Sequence, residues 1–387
     1  MCPGARLAEQ EFGWLVSRLG SGLYLEEFLI HGFQSLPERY RRRVPHLQCW
    51  RGVGGFRRGL AEFVGQPQGG ATHFFAQSSF LIQFAADCLF ERAQRVLVTD
   101  LGWPPYTARL HDIAFARRKS LHVVSLKDHV LHDQIHVDDL IERIVTSYER
   151  LDCDAIFLSD ISYLGVRLPI EKILAQLRHN CKFSVVDGAQ AFNQRAVDLN
   201  SLACDLYLAG TQKWFCSYHP LRMAFVGQHC DAERIERIVT RTDAKRDALF
   251  NFCHSAEGRP QIAYGETVNV SALIAAAGAL HQMSGRPAHR CTLWKRLTEN
   301  ASVLADWLTD SPFVPVLSSA SLQSGILLLR DRHAADDSQA VERADLAALG
   351  LIASAFTGGL LRLSMPTIAL SLHQMSTIAR ALHQLQA

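Results

Sequence analysis

The chain has 387 residues, 48% of them hydrophobic and 20% charged, enough to build two packed cores and too apolar for a disordered chain. Lys and Arg total 40 against 38 Asp and Glu, a net charge of +2, which leaves no general case for a nucleic-acid or anionic-membrane binder. Its 10 cysteines are scattered without a C-x-x-C pair, and the first residues lack the apolar core of a signal peptide. With no run of about 18 uncharged apolar residues either, the expectation is reduced thiols in a cytoplasmic protein.

Residues 1–55 read as an N-terminal segment packing on the C-terminal domain. Within it, Arg39-Tyr40-Arg41-Arg42-Arg43 is expected to be a solvated face or the rim of an anion site. From about residue 70, short apolar strands alternate with amphipathic helices. Strands are expected at 71–76, 95–100, 120–125, 154–160, 183–187, 205–209 and 222–227, with helices at 79–92, 106–117, 137–150 and 169–180 between the early ones. Continuously apolar strands separated by helices predict an α/β domain over 56–275: a mostly parallel seven-stranded sheet with helices on both faces. Ligands bind such sheets beyond the carboxyl ends of the strands. Asp100, Asp160, Asp187, Thr211 and Lys213 all fall at those ends and point to one site. Beyond residue 275 the pattern changes to a smaller α+β domain, 276–387, with strands near 314–317, 325–329 and 360–365 and a closing helix 371–385. The polar stretch 331–342 is expected to be its mobile loop.

Two segments carry the chemistry. Ser184-Val185-Val186-Asp187-Gly188-Ala189-Gln190 is an apolar strand ending in an acid and a small-residue turn. Asp205-Leu206-Tyr207-Leu208-Ala209-Gly210-Thr211-Gln212-Lys213-Trp214 is a second strand ending in a lysine, 26 residues after the acid. A lysine able to form a Schiff base and an acid able to keep a pyridine nitrogen protonated are what pyridoxal phosphate (PLP) requires.

The order D-G-A-Q…D-L-Y-L-A-G-T-Q-K-W resembles the class V aminotransferase family of fold-type I PLP enzymes, which also includes cysteine desulfurases and kynureninases. The resemblance extends more weakly from Phe74 to Met365. It implies PLP held by Lys213 and Asp187, with Thr211 and Gln190 also at the cofactor and Gln190 reaching the ring hydroxyl. It places the phosphate at Phe74-Phe75-Ala76-Gln77-Ser78-Ser79, where Ser78 and Ser79 open a helix and Gln77 stands where the family usually has glycine. It implies that Trp103 covers the ring and that Ser162 or Tyr163 replaces the family's usual asparagine. Leu360-Leu361-Arg362-Leu363-Ser364-Met365-Pro366 is similar to the strand whose arginine, here Arg362, grips the substrate α-carboxylate. In Tyr264-Gly265-Glu266-Thr267, Glu266 is inserted into the family's G-T element, which implies a homodimer whose Thr267 reaches the partner's phosphate. The small-residue helix 270–280 is also expected at the partner.

Between Cys291 and Arg362 there is no cysteine, which argues against a persulfide-forming desulfurase. Asp128, His129, His132, Asp133, His136 and Asp138 form a ligand-like cluster read as helix capping, not as a metal site. The expectation is therefore a PLP enzyme acting at the α-carbon of an amino acid, aminotransferase-type, with a PLP-dependent lyase or elimination and replacement enzyme as the first alternative. A non-catalytic scaffold of the same fold is the second.

Overall fold

The computed structural model describes residues 2–19, 23–66, 68, 70–132, 135–227, 230–258, 267–285, 287–317 and 319–385. The large sheet comprises β1 (Thr72–Phe75), β2 (Arg95–Thr99), β3 (Ser120–Val124), β4 (Ala155–Ser159), β5 (Phe183–Asp187), β6 (Leu206–Gly210) and β7 (Arg222–Val226). Their order is β1-β7-β6-β5-β4-β2-β3, and β7 runs antiparallel to both of its neighbours. All seven expected strands form within a residue or so of their predicted ends.

Period-two geometry explains why these strands are apolar throughout. Phe74, Leu97, Ile156, Val186, Tyr207 and Phe225 pack into the core on one face. Their neighbours Phe75, Val96, Phe157, Val185, Leu208 and Val226 pack into the core on the other. The helix Val137–Arg150 shows the matching helical pattern, burying Leu140, Ile141, Ile144 and Tyr148 while its charges face outward.

A second, antiparallel sheet comprises β8 (Phe313–Pro315), β9 (Ile326–Asp331), β10 (Ser354–Phe356) and β11 (Leu360–Ser364), in the order β10-β11-β9-β8. Helices Pro287–Trp307 and Leu372–Gln384 cover it around Leu297, Leu304, Leu329, Leu361 and Leu382. The strand β10 is an addition to the sequence reading, since three residues are too few to show an alternating pattern.

The N-terminal segment packs through its first helix. Helix Pro3–Leu19 lies along helix Ser271–Ser284, and Ala5, Ala8, Phe12 and Leu15 join the main core rather than the small-domain core. The approach is close because both helices offer glycine: a Cβ added to Gly278 would lie 2.5 Å from the Gly4 carbonyl oxygen. Gln282 Oε1 also accepts from the Gly4 N–H at 2.7 Å. Gly278, one of the small residues expected to meet a partner subunit, thus faces this chain's own first helix.

Three bonds fasten the segment leading into β9 to the residues around the large sheet. Ser324 Oγ donates to the Gly165 carbonyl at 2.7 Å, Gly325 N to Gln194 Oε1 at 2.8 Å, and Arg167 N to the Leu322 carbonyl at 2.8 Å. Among the described residues, no helix is long and apolar enough to cross a membrane.

Candidate functional site

Asp187 is the last residue of β5, and parallel pairing sets it beside Leu208 of β6. Leaving β6, the chain passes through Gly210, Thr211 and Gln212 to Lys213. A cavity of about 300 Å³ opens at these strand ends, lined by Asp187 and Lys213 together with Trp103, Tyr163, Gln190 and Arg362.

Gly188 makes the turn after Asp187 possible. A Cβ there would stand 2.1 Å from the Tyr207 ring, so only glycine lets the strand end so tightly over that side chain. Asp187 Oδ1 accepts from Ala189 N at 2.9 Å, which holds the carboxylate in place. Burial pushes its pKa up, while the Ala189 N–H and the charge of Lys213 pull the other way. Burial likewise pushes the Lys213 ammonium pKa down; Asp187 opposes that, and Arg362 and Arg222 add to it. Each of the two groups thus stabilises the charged form of the other.

Arg362, on β11, enters from the four-stranded sheet. Its Nη1 donates to the Tyr163 carbonyl at 2.5 Å and Nη2 to Ser354 Oγ at 3.0 Å. Its Nε is buried without a hydrogen-bond partner. Among the described residues no carboxylate pairs with Arg362, and burial lowers its pKa. A half-buried guanidinium with an orphan donor is a site for an anion.

A second cation was not foreseen. Arg222 opens β7 opposite Phe75 of β1 and Gly210 of β6. Its Nε donates to Ser78 Oγ at 3.0 Å, and its Nη1 is buried without a partner. Ser78 begins helix Ser78–Arg92, whose N-cap Gln77 makes no side-chain capping bond. Asp247 Oδ2 accepts from Ala76 N and Gln77 N at 2.9 and 3.1 Å, which pins the preceding loop. Tyr106 lies beside Ser78 and lines the cavity. The available signal for Arg222 was a lone arginine opening an apolar strand.

Several residues expected at the site do other work. Ser162 is fully buried, and its Oγ accepts from Leu164 N at 3.2 Å and Val166 N at 3.0 Å. Alternation along the chain turns Ser159, Ile161 and Tyr163 toward the cavity and Ser162 away from it. Thr211 is also fully buried, its Oγ1 accepting from Leu221 N at 2.9 Å and donating to the His219 carbonyl at 3.3 Å. It ties the lysine loop together instead of facing the cavity. Asp100 Oδ1 accepts from Leu126 N and Lys127 N at the start of a helix. Asp160 is clasped by Arg195 through bonds of 3.1 and 3.0 Å.

Gln190 lines the cavity, with its Oε1 accepting from Trp214 Nε1 at 3.2 Å. Trp103 is 43% exposed and stands edge-on to Tyr163, the ring centroids 5.8 Å apart. Ser79 is exposed, with its Oγ 3.5 Å from Gln77 Oε1. Thr267 is exposed at the start of a described segment, while Gly265 and Glu266 lie outside the described residues. In the acidic and histidine cluster, His129 meets Arg143 at 3.1 Å, His132 meets Arg330 at 3.0 Å, and Asp139 accepts from His136 N at 3.2 Å. Asp133 lies outside the described residues.

Residues 44–218 match the model of the aminotransferase class-V family. No curated protein matches the chain by sequence. Among solved structures, it is similar to a cysteine desulfurase from Thermococcus onnurineus NA1, with a TM-score of 0.66 at 13% identity over 99% of this chain and 91% of that one. Alanine–glyoxylate aminotransferase from Nostoc sp. gives a TM-score of 0.62 at 16% identity, over 87% and 86%. A C-DES variant with glycine covalently linked to its PLP cofactor gives 0.66 at 15%, over 98% and 93%.

Proposed function

Since residues 44–218 match the aminotransferase class-V family model, we propose that the chain is a PLP-dependent enzyme of that family and transfers the amino group of an amino-acid substrate, with Lys213, Asp187 and Arg362 as its principal residues. The observation carrying this reading is that one cavity joins a buried acid, a lysine of lowered pKa and an arginine lacking an anionic partner.

The donor set fits PLP. Asp187, raised by burial, suits a protonated pyridine nitrogen, and Lys213 suits the aldehyde carbon. Arg222, with its orphan Nη1, would join Ser78 and Ser79 in holding the phosphate at the uncapped helix start. Trp103 would cover the ring, and Gln190 would reach the ring hydroxyl, with Tyr163 rather than Ser162 as the hydroxyl beside it. When bound, PLP supplies an electron sink for negative charge at the substrate's α-carbon.

The protein's own part is positioning and proton movement. Arg362 holds the α-carboxylate through its free Nε, which fixes the α-carbon over the lysine side of the cavity. Lys213 Nζ moves the α-proton, and burial, by lowering its pKa, favours the neutral amine that this role needs. The named residues suffice for amino transfer, which is why it is preferred over elimination or carbon–carbon cleavage. The test is to offer the PLP-loaded protein a panel of amino acids with a 2-oxo-acid acceptor. Stoichiometric conversion of donor to its 2-oxo acid is expected; other products without that one would overturn the reading.

Arg362→Leu should cost about 2 kcal/mol or more in kcat/KM, the loss of a charge-assisted pair, while the protein retains its PLP. Steady-state kinetics beside a PLP stoichiometry measurement checks this. Arg222→Leu should instead loosen PLP roughly tenfold or more, read by equilibrium dialysis, because the phosphate loses its cation.

Cytoplasmic residence and the division into a cofactor domain, 56–275, and a small domain, 276–387, are part of the same proposal. So is a homodimer in which Thr267 approaches the partner's phosphate. The segment 265–269 carries that proposal, while helix Ser271–Ser284 meets this chain's own first helix at Gly278 and Gln282. Light scattering should give about twice the 43.2 kDa of one chain, and a monomer with PLP bound would rule the shared site out.

A further inference from the structure

A second cavity, of about 250 Å³, adjoins the first and shares Trp103 and Arg362 with it. We propose that this annex receives a large apolar side chain, so that the substrate is a branched-aliphatic or aromatic amino acid; the inference rests on the reading of Arg362 as the carboxylate's partner.

The lining argues for it. Beyond the shared pair, Val341, Leu346, Ala353, Ala355 and Phe356 make the wall, with Leu346 at 1% exposure as its buried floor. Two polar residues join them. Ser354 already accepts from Arg362 Nη2 at 3.0 Å, and Arg343 is exposed to solvent. With Ser354 and Arg362 engaged, the solvent-exposed Arg343 is what the lining leaves for a polar substrate side chain, whereas an apolar one gains by its burial along the wall.

The geometry joins the annex to the chemistry. Phe356 lies under the Arg362 guanidinium, 5.7 Å from its ring centroid, and stands edge-on to Tyr163 at 5.5 Å. Tyr163 in turn meets Trp103 edge-on, so three rings form a continuous apolar wall from the first cavity to the second. A carboxylate taken by Arg362 therefore leaves the substrate side chain beside that wall. This placement also accounts for Trp103, a large aromatic left 43% exposed at the junction.

The test titrates the PLP-loaded protein with L-alanine, L-serine, L-aspartate, L-leucine and L-phenylalanine, following the cofactor's visible absorbance. Leucine and phenylalanine are expected to bind roughly tenfold or more tighter than alanine and serine. Ala355→Phe, which fills the annex, should compress that spread to within about threefold. If alanine, serine or aspartate binds as tightly as phenylalanine, the annex proposal fails while the amino-acid reading stands. If the variant keeps the full spread, it also fails. If no amino acid changes the spectrum, the proposed function itself fails. The wild-type panel decides the matter even if the variant does not fold.

Discussion

Lys213→Ala is expected to lower turnover by at least about three orders of magnitude, because the same amine anchors the cofactor and moves the α-proton. The protein should still fold. The turn at Lys213 is held by main-chain bonds, among them Cys216 N to the Lys213 carbonyl at 3.3 Å, which alanine keeps. Loss of the amine takes from Asp187 a favourable charge but none of the main-chain bonds that hold the turn. Circular dichroism should be unchanged, and the visible absorbance of lysine-bound PLP should disappear. Turnover near the wild-type level would overturn the assignment of the site.

Asp187→Asn should have the second largest effect, and it is one of opposite sign on activity and on stability. Without a negative partner the pyridine nitrogen loses its proton, and the rate should fall by about two orders of magnitude or more, with weaker PLP binding. The cofactor-free protein should behave differently. Burial raises the Asp187 pKa above that of the unfolded chain, so the folded state binds more protons than the unfolded state between the two values. Unfolding free energy therefore declines as pH rises through that window, and above it the charged carboxylate is a net cost. Asparagine keeps an acceptor for Ala189 N and removes that cost. The apo variant should melt no lower than apo wild type at neutral pH, by calorimetry, and should lack the decline through that window. A large drop in apo Tm would show that Asp187 serves the fold instead of the cofactor.

The large sheet was legible because each strand is buried on both faces and so reads as an unbroken apolar run. Asp187 and Lys213 were legible as polar residues ending such runs on adjacent strands. Ser162 and Thr211 share that position in the chain, yet their hydroxyls turn back to Val166 N and Leu221 N. Side-chain direction there depends on how tightly each turn closes, which residue type alone does not specify. Arg222 acquires its meaning from Ser78, which lies 144 positions earlier and meets it only through β1–β7 pairing. The annex was hidden for a similar reason, since β10 is too short to carry a pattern and its partners come from both domains.

The glycine contact between the helices Pro3–Leu19 and Ser271–Ser284 bears on the order in which the chain is made. Gly4 bonds to Gln282 across 278 positions, so the helix Pro3–Leu19 is made long before its docking face exists. Phe12 and Leu15 have their final surroundings only then. During synthesis this amphipathic segment is an exposed apolar surface, a natural site for chaperone capture and for misassembly between nascent chains. Moving this helix to follow residue 285 would cut that delay, tens of seconds at about 5–20 residues per second, to roughly a second, and turn the clasp into a local hairpin of helices.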